Sequence, residues 1–216
     1  MEKDKKIFAE KIVAGIKKHF PEPRIELNYK NEFELLIAVL LSAQTTDKKV
    51  NEVTPHLFSK YPTPEKLARA DINDLCKIIK PLGFFQRKSE LIKKCAQKIC
   101  EKFNGKVPST IEELVQLPGV GRKTASAVLV NAFNKPAIVV DTHVIRVATE
   151  RLKLSREKDA DKIEQDLANI FPVETWKFIA NGLVLFGRHI CTAKNPACPT
   201  CHMYELCPYE KKSIKQ

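Results

Sequence analysis

The segment 117–125 contains a proline and two glycines within four residues, between two stretches with helical apolar periodicity. Pro118, Gly119 and Gly121 therefore predict a tight turn that joins two helices. Glycine suits such a turn because it permits positive φ and lets another backbone approach closely. The backbone N–H groups of the turn, and of the helix that follows it, can converge on an anion. The segment thus predicts a helical hairpin that is suited to binding a phosphate.

Two cations follow the turn, at the point where the second helix begins. Arg122 and Lys123 occupy the positive end of that helix, where cations are disfavoured. A purely structural turn gains little from them. A phosphate-binding turn gains from their charge, and a lysine nucleophile gains from a setting that favours its neutral amine. The pattern therefore favours a functional turn.

The chain is strongly basic, with 37 Lys and Arg against 26 Asp and Glu and a formal charge of +11 over 216 residues. This excess favours a polyanionic partner, nucleic acid first and a membrane surface second, although a basic protein need not have one. The longest apolar run, residues 35–41, is far below the ~20 residues that span a bilayer. The N-terminus lacks the apolar core of a signal peptide. We therefore expect an intracellular protein whose seven cysteines are thiols or metal ligands.

Helical periodicity recurs along most of the chain, and no segment alternates polar and apolar residues with a sustained period of two. The sequence therefore predicts an all-α protein. Residues 33–40 are apolar nearly all round and follow a cap at Asn31, which predicts a central buried helix. Apolar periodicity also predicts helices over residues 5–19, 86–103 and 111–117, the last with only two turns. Each of the three has one apolar face that is expected to point into the core. The residues predicted to face inward are Ile7, Phe8, Ile12, Val13, Ile16, Leu91, Ile92, Cys95, Ile99, Ile111, Leu114, Val115 and Leu117, and those predicted to face solvent are Arg87, Lys88, Lys93, Lys94 and Lys98.

A polar cluster follows the predicted buried helix directly, in residues 42–47. Thr46 or Asp47 is expected to cap the next helix, and from the pattern alone capping is the stronger interpretation of the whole cluster. Capping does not account for Gln44. An amide at a loop tip can stack on bases and hydrogen-bond with them, so Gln44 is a candidate for nucleic-acid contact.

Asp141 and His143 follow a short extended-looking run, 137–140, ahead of another predicted helix. Asp141 fits the N-cap of that helix, and the local pattern favours this role. His143 fits an interior histidine whose ring is hydrogen-bonded. The local pattern assigns neither residue to catalysis.

Four cysteines lie within seventeen residues near the C-terminus, in the spacing C-x6-C-x2-C-x5-C. Clustered exposed thiols are prone to oxidation, so a metal centre explains Cys191, Cys198, Cys201 and Cys207 better than four free thiols do. Structural zinc sites usually pair two tight hooks, and only one is present here. The spacing also matches neither common ferredoxin pattern. Ligand chemistry alone leaves zinc and an iron–sulfur cluster about equally supported.

Four of these segments together resemble the endonuclease III family of DNA base-excision repair glycosylases. Residues 117–125 resemble its helix-hairpin-helix, and 191–207 resemble its [4Fe–4S] loop. Residues 41–47 resemble the loop after its central helix, and 140–143 its catalytic aspartate segment. The segments occur in the family's order and near its separations, and the match covers nearly the whole chain. The resemblance implies two helical lobes. One is a helical barrel domain over 25–135 with the hairpin at about 110–130, and the other is an iron–sulfur cluster domain formed by 1–24 and 136–216.

The resemblance also implies a bifunctional DNA glycosylase and AP lyase that removes oxidised or ring-saturated pyrimidines. Lys123 would attack the sugar and form a Schiff base, its neutral amine favoured by the helix start, by Arg122 and by partial burial. Asp141 would be the second catalytic residue, facing Lys123 across a cleft. β-Elimination would then cleave the strand 3′ to the abasic site. The four cysteines would hold one [4Fe–4S] cluster.

The resemblance further implies a partner, double-stranded DNA containing damaged bases or abasic sites, bound by a monomer in the bacterial or archaeal cytoplasm. Gln44 and Phe84 match the positions that fill the vacated space and wedge the duplex when the damaged base is flipped out. Phe84 departs from the family's usual aliphatic residue, and an aromatic ring can stack instead of plugging. The other implied contacts are Gly119, Gly121, Arg122 and His143 to DNA, and Ser42 and Asp47 to the damaged base.

Two alternatives stay open at this point. A monofunctional mismatch adenine glycosylase keeps the aspartate and the cluster but lacks the lysine nucleophile and usually carries an extra C-terminal domain. This chain has Lys123 and ends nine residues after Cys207. A non-catalytic helix-hairpin-helix DNA-binding module with a zinc loop would need neither Lys123 nor Asp141.

Overall fold

The computed structural model describes residues 2–213, with the backbone alone for residues 2–5. Its α-helices are α1 (Glu2–His19), α2 (Glu32–Leu41), α3 (Asp47–Lys60), α4 (Pro64–Ala68), α5 (Ile72–Ile79), α6 (Phe85–Phe103), α7 (Ile111–Leu114), α8 (Arg122–Ala132), α9 (Thr142–Ile145), α10 (Ala160–Ile170) and α11 (Trp176–Leu185). Shorter 3-10 turns span Lys80–Leu82, Val173–Thr175 and Cys198–Thr200, and π-helical turns at Arg146–Arg151 and Phe186–Ile190 continue α9 and α11. Within the described residues there is no strand, and the all-α prediction is confirmed.

Backbone contacts divide the chain into two compact units. One unit runs from Glu26 to Phe133 and holds α2 to α8. The other combines the segment up to Ile25 with the segment from Asn134 onward, and holds α1 and α9 to α11. The predicted domain ranges 1–24 and 136–216 include residue 1 and residues 214–216, which lie outside the described part of the chain. None of the helices within residues 2–213 has both the length and the apolar character that crossing a bilayer requires.

Helix α2 is the buried centre of the Glu26–Phe133 unit, as predicted. The Asn31 side chain caps it by accepting the N–H of Glu34 at 2.9 Å. Every residue from Phe33 to Leu41 is buried, which is why the helix can be apolar on all sides. Glu34 is tolerated in this core because its carboxylate accepts the backbone N–H of Lys30 at 2.7 Å. Helix α8 packs against α2 and so places the start of α8 beside the core.

Two of the predicted inward residues are exposed. Ile7 is 42% exposed because the buried face of α1 is set by Ala9, Ile12 and Ile16, and a position two residues before Ala9 lies on the opposite side of the helix. Val115 is also 42% exposed. The predicted two-turn helix there is a single turn that ends at Leu114, so Val115 leaves the inner face.

Glycines allow close packing in the other unit. A Cβ at Gly182 would lie 2.8 Å from Ile16 Cγ2, and one at Gly187 would lie 2.9 Å from His143 Cβ. Both glycines therefore allow neighbouring elements to approach closely. At Gly15 of α1, a Cβ would collide with the Met203 side chain. Met203 belongs to the cysteine segment, so α1 docks directly against that segment.

Candidate functional site

The predicted tight turn joins α7 to α8 and depends on Gly119. This residue has a φ of +77°, and a Cβ there would lie 2.6 Å from Leu91 Cδ1, so glycine is required on both counts. Gly121 differs, because its φ of −89° suits any residue and a Cβ there would meet nothing within 4 Å. The protein's own packing therefore does not require Gly121. The open space beside its backbone is available to another molecule.

The turn also presents backbone donors. Among residues 2–213, no acceptor takes the N–H of Gly119 or of Gly121. Gly121 is the N-cap of α8 and offers no side-chain acceptor to the helix start. These donors and the positive end of an 11-residue helix together suit an anion, and the phosphate contact itself stays a prediction.

Arg122 and Lys123 form the first turn of α8, and both side chains are exposed. The partial burial predicted for Lys123 is wrong, because burial on α8 begins only at Ala125. The helix start and the neighbouring Arg122 place positive charge beside this amine. Exposure leaves the amine accessible to a large substrate.

The loop 42–47 joins α2 to α3 in the same unit. Thr46 caps α3 by accepting the N–H of Lys49 at 3.4 Å, so the prediction that Thr46 or Asp47 caps this helix is confirmed. Gln44 is exposed and has a φ of +54°, which is uncommon for a residue other than glycine. Capping therefore leaves Gln44 unexplained.

Ser42 and Asp47, the residues predicted to line a damaged-base pocket, stand at the two ends of this loop. Both are half-buried. The Ser42 hydroxyl donates to the Val39 carbonyl at 2.9 Å, and Asp47 is the first residue of α3. The loop thus brings both side chains to the segment that carries Gln44.

Phe84 stands on a second short loop of this unit, between the turn Lys80–Leu82 and α6. Its side chain is 66% exposed. Its φ is +48°, and that of Gly83 before it is +69°, so two successive residues are left-handed. An exposed aromatic on such a backbone is unusual for a residue that serves packing alone.

Lys88 was predicted to face solvent, and the structure buries it to 5% exposure. Its Nζ donates to Thr45 Oγ1 at 2.6 Å and to the Leu82 carbonyl at 3.2 Å. Burial lowers the pKa of its ammonium group. The signal was present in the sequence, because position 88 lies one helical turn before Ile92 and shares its buried face. The charge of Lys88 favours a solvent position, although helical periodicity assigns residue 88 to the interior.

Asp141 lies in the other unit and caps α9. Its Oδ1 accepts the N–H groups of His143 and Val144, each at 2.9 Å, so the capping prediction is confirmed. The residue is only 8% exposed. Both bonds fall on Oδ1, which leaves Oδ2 without a hydrogen-bond donor among the described residues.

His143 is half-buried on α9, next to Gly187. Its Nδ1 lies 3.5 Å from the Arg146 guanidinium. Burial, with the positive charges of Arg188 and Arg146, holds the pKa of His143 below its usual value and outweighs the opposing effect of Asp141. His143 therefore favours its neutral form.

The cysteine segment 191–207 encloses a cavity lined by Cys191, Cys198, Cys201 and Cys207 together with apolar neighbours that include Phe186, Ile190 and Met203. The Met203 N–H donates to Cys201 Sγ at 3.4 Å, a bond that stabilises a thiolate. Burial raises the pKa of Cys191 to about 11, so its thiolate needs a strong positive partner.

Thiolate sulfur is a ligand both for zinc and for iron–sulfur clusters, so the lining of this cavity fits either centre. The [4Fe–4S] cluster that the family resemblance implies stays a prediction.

Two arginines that the sequence did not single out hold this segment. Arg146 donates to the Cys191 carbonyl at 3.0 Å, and Arg151 donates to the Ala193 carbonyl at 3.2 Å. Arg151 is 5% exposed, and its guanidinium lies 3.9 Å from the Tyr209 ring centroid. Both residues lie on the π-helical turn after α9, so this turn fixes the position of the cysteine segment.

The candidate residues thus fall into two groups. The hairpin, Gln44, Phe84 and Lys123 belong to the Glu26–Phe133 unit, and the loops that carry Gln44 and Phe84 are joined through Lys88. Asp141, His143 and the four cysteines belong to the other unit. The meeting of Lys123 with Asp141 stays a prediction.

An all-helical chain with a glycine hairpin leading into a helix with open amide groups defines a helix-hairpin-helix protein. The sequence profile described as "HhH-GPD superfamily base excision DNA repair protein" matches residues 37–173. The chain belongs to this superfamily and, within it, to the endonuclease III family.

Individual relatives are similar over nearly their full length. The chain is 41% identical to endonuclease III of Synechocystis sp. over 210 residues, which cover 97% of this chain and 95% of the relative. A solved structure of a trapped endonuclease III–DNA covalent intermediate matches with a TM-score of 0.86 and 41% identity, over 91% of this chain and 92% of that one. A thermostable thymine-DNA glycosylase matches with a TM-score of 0.84 and 27% identity, over 98% of each chain.

Proposed function

We propose that this chain is a bifunctional DNA glycosylase and AP lyase of base-excision repair, which removes oxidised or ring-saturated pyrimidines and cleaves the resulting abasic strand. One observation carries the proposal: the exposed amine of Lys123 directly follows a turn with two open amide donors. A nucleophile beside a phosphate-binding turn can reach the sugar of the strand that the turn holds. Similarity to endonuclease III over nearly the whole chain supports this activity, as does similarity to the trapped covalent intermediate.

The hairpin binds the DNA backbone. The N–H groups of Gly119 and Gly121 hold a phosphate, and Arg122 adds a positive charge beside it. The space beside Gly121 lets the phosphate approach the backbone closely. The formal charge of +11 adds long-range attraction to double-stranded DNA that contains damaged bases or abasic sites.

The loops of the same unit open the duplex. A damaged base inside a duplex is out of reach, so it is flipped out at a cost of a few kcal/mol. Gln44 fills the space that the base leaves, and Phe84 stacks against the exposed neighbouring bases. Ser42 and Asp47 line the pocket for the flipped base, and His143 contacts DNA from the other unit.

Lys123 and Asp141 carry the reaction. The neutral Lys123 amine attacks C1′ of the sugar, the damaged base leaves, and opening of the sugar gives a Schiff base with Lys123. Asp141 stabilises the positive charge that develops on the sugar or takes a proton from the attacking amine. Its Oδ2 is available for this because both capping bonds fall on Oδ1.

The lyase step follows from the Schiff base. The positively charged imine acidifies the proton on C2′, and loss of that proton expels the 3′ phosphate. This β-elimination cleaves the strand 3′ to the lesion. Water then releases Lys123 from the imine.

Cys191, Cys198, Cys201 and Cys207 are proposed to hold one [4Fe–4S] cluster. When bound, the cluster supplies iron–thiolate bonds that order a segment with little apolar content. The sugar chemistry needs no redox step, so the role of the four cysteines is structural. We therefore assign the unit that combines α1 with α9 to α11 as the cluster domain, and the Glu26–Phe133 unit as the barrel domain.

The enzyme is proposed to act as a monomer, with its DNA substrate, in the cytoplasm. The sugar reaction uses residues of a single chain, so no second copy is needed. Bacterial relatives named endonuclease III, such as that of Synechocystis sp., are similar over nearly their whole length, which supports the bacterial or archaeal setting.

A panel of duplexes tests the function. The panel has four duplexes, and each carries a single feature. These features are an oxidised pyrimidine, an abasic site, an adenine mismatch and a thymine mismatch. The proposal expects base removal coupled to strand cleavage for the oxidised pyrimidine, and cleavage at the abasic site. Base removal without cleavage on a mismatch would instead indicate a monofunctional glycosylase, which the similarity to thymine-DNA glycosylase makes a specific rival. DNA binding with no reaction on any duplex would indicate a binding module.

A further inference from the structure

A buried lysine joins the two loops that carry Gln44 and Phe84. Lys88 Nζ donates to Thr45 Oγ1 at 2.6 Å and to the Leu82 carbonyl at 3.2 Å. Thr45 Oγ1 in turn donates to the same Leu82 carbonyl at 2.7 Å. The three groups close a compact hydrogen-bonded triangle, which we call the Lys88 clasp. Thr45 directly follows Gln44, and Leu82 lies two residues before Phe84.

The environment of Lys88 is energetically unfavourable for a charged side chain. The side chain is 5% exposed and stands in the first turn of α6, where the helix dipole disfavours a cation. Burial also lowers the pKa of its ammonium group. An apolar residue of similar length would pack there without these costs. The hydrogen bonds across the two loops are what a lysine adds.

The backbone on both sides of the clasp is strained. Gln44 has a φ of +54° and Phe84 a φ of +48°, both in the left-handed region that non-glycine residues rarely occupy. Such conformations persist only where surrounding contacts hold them. The Lys88 clasp supplies contacts of this kind next to each residue.

We propose that Lys88 is a positioning residue that fixes the Gln44 loop against the Phe84 turn, so that both side chains enter the duplex as one unit. The inference rests on the proposed function, because it assumes that these two side chains open DNA. Lys88 acts through Thr45 and Leu82 and touches neither the damaged base nor the sugar. Its contribution is therefore to duplex opening and not to the steps at Lys123.

The test separates opening from chemistry by using one lesion in two settings. In the first duplex the oxidised pyrimidine is paired, and in the second it is bulged, so that the cost of unpairing is already met. Lys88→Met keeps the apolar stem and removes the donors. We expect it to lower the single-turnover excision rate about tenfold or more on the paired lesion, with a change of less than about threefold on the bulged lesion. Equal losses on both substrates, or no loss on either, would overturn the proposal.

Thr45 gives a second test that does not depend on how Lys88→Met folds. Thr45→Val removes the hydroxyl at nearly constant volume and should reproduce the selective loss on the paired lesion. Thr45→Ser keeps the hydroxyl and should restore the wild-type ratio of paired to bulged rates. If valine and serine behave alike, the hydroxyl does not act as proposed.

Lys94→Met is the matched control, because Lys94 is an exposed lysine on the same helix with a long 3.7 Å ion pair to Glu90. It should leave both rates unchanged, and a selective loss in it would contradict the proposal. Excision by the wild type separates failure of the proposed function from failure of the Lys88 role. If the wild type excises neither lesion, the proposed function is refuted, and this inference with it. If the wild type excises both lesions normally and the variants show no selective loss on the paired lesion, only the Lys88 role is refuted.

Discussion

Leu91 packs against Gly119 so closely that a Cβ on residue 119 would lie 2.6 Å from Leu91 Cδ1. The φ of +77° at Gly119 adds a second penalty for any side chain. We predict that Gly119→Ala lowers the free energy of unfolding by about 1–3 kcal/mol, measured by urea denaturation. Unchanged stability would mean that the turn relaxes without cost.

Gly121 should respond differently, because it has an ordinary φ and open space around its α-carbon. Gly121→Ala should change the free energy of unfolding by less than about 1 kcal/mol. Affinity for DNA with an abasic-site analogue should nevertheless fall, because the added methyl group occupies the approach to the open amide groups. Binding at wild-type strength would argue that the phosphate lies elsewhere.

Asp141 combines a cap with a proposed catalytic charge, and two substitutions separate these roles. Asp141→Asn keeps an oxygen that can accept from His143 and Val144, so stability should stay close to that of the wild type. Turnover should fall strongly while binding to abasic-site DNA persists. Asp141→Ala should in addition lose about 1 kcal/mol of stability. Near-normal turnover in the asparagine variant would leave Asp141 as a cap alone.

Replacing one cysteine of the segment 191–207 should weaken the colour that a bound iron–sulfur cluster gives to the protein. Cys201→Ser removes the sulfur that accepts the Met203 N–H, and should abolish or weaken visible absorption, lower the iron and sulfide content and reduce DNA binding. Cys76→Ser, on α5 of the other unit, is the control and should retain all three. A colourless wild-type protein that contains zinc would contradict the cluster assignment.

The lowered pKa of His143 predicts how the free energy of unfolding depends on pH. Its folded-state pKa is held below the unfolded value of ~6.5, chiefly by burial and then by the nearby arginines. The unfolded chain therefore binds a proton more readily, and stability contributed by neutral His143 is present above pH ~6.5 and is lost as the pH falls below it. Urea denaturation at pH 8 and pH 5.5 should show a smaller decrease for His143→Gln than for the wild type. An equal decrease would place the acid sensitivity elsewhere.

Helix boundaries and caps were accessible from the sequence because they depend on local chemistry. Asn31 caps α2 and Asp141 caps α9, each predicted from a polar residue before an apolar run. The burial of α2 on all sides followed from its composition in the same way. The glycine hairpin was also predicted, because Pro118, Gly119 and Gly121 interrupt two stretches of helical periodicity.

Features that depend on tertiary contacts were missed. The charge of Lys88 predicts a solvent position, whereas its helical periodicity predicts burial, and only the neighbouring loops reveal partners for a buried amine. Lys123 was expected to be partly buried, but burial on α8 depends on where α2 packs and starts at Ala125. Sequence spacing does not separate zinc from an iron–sulfur cluster, because thiolates are ligands for both.

Lys123 is the proposed nucleophile of both reaction steps, and borohydride trapping tests this role directly. Reduction of the Schiff base should join the wild-type enzyme covalently to DNA that contains an abasic site. Lys106→Ala, which changes another exposed lysine of the same unit, should trap as the wild type does. Lys123→Ala should bind the same DNA and give no trapped adduct, whereas an undiminished adduct with Lys123→Ala would contradict the central claim.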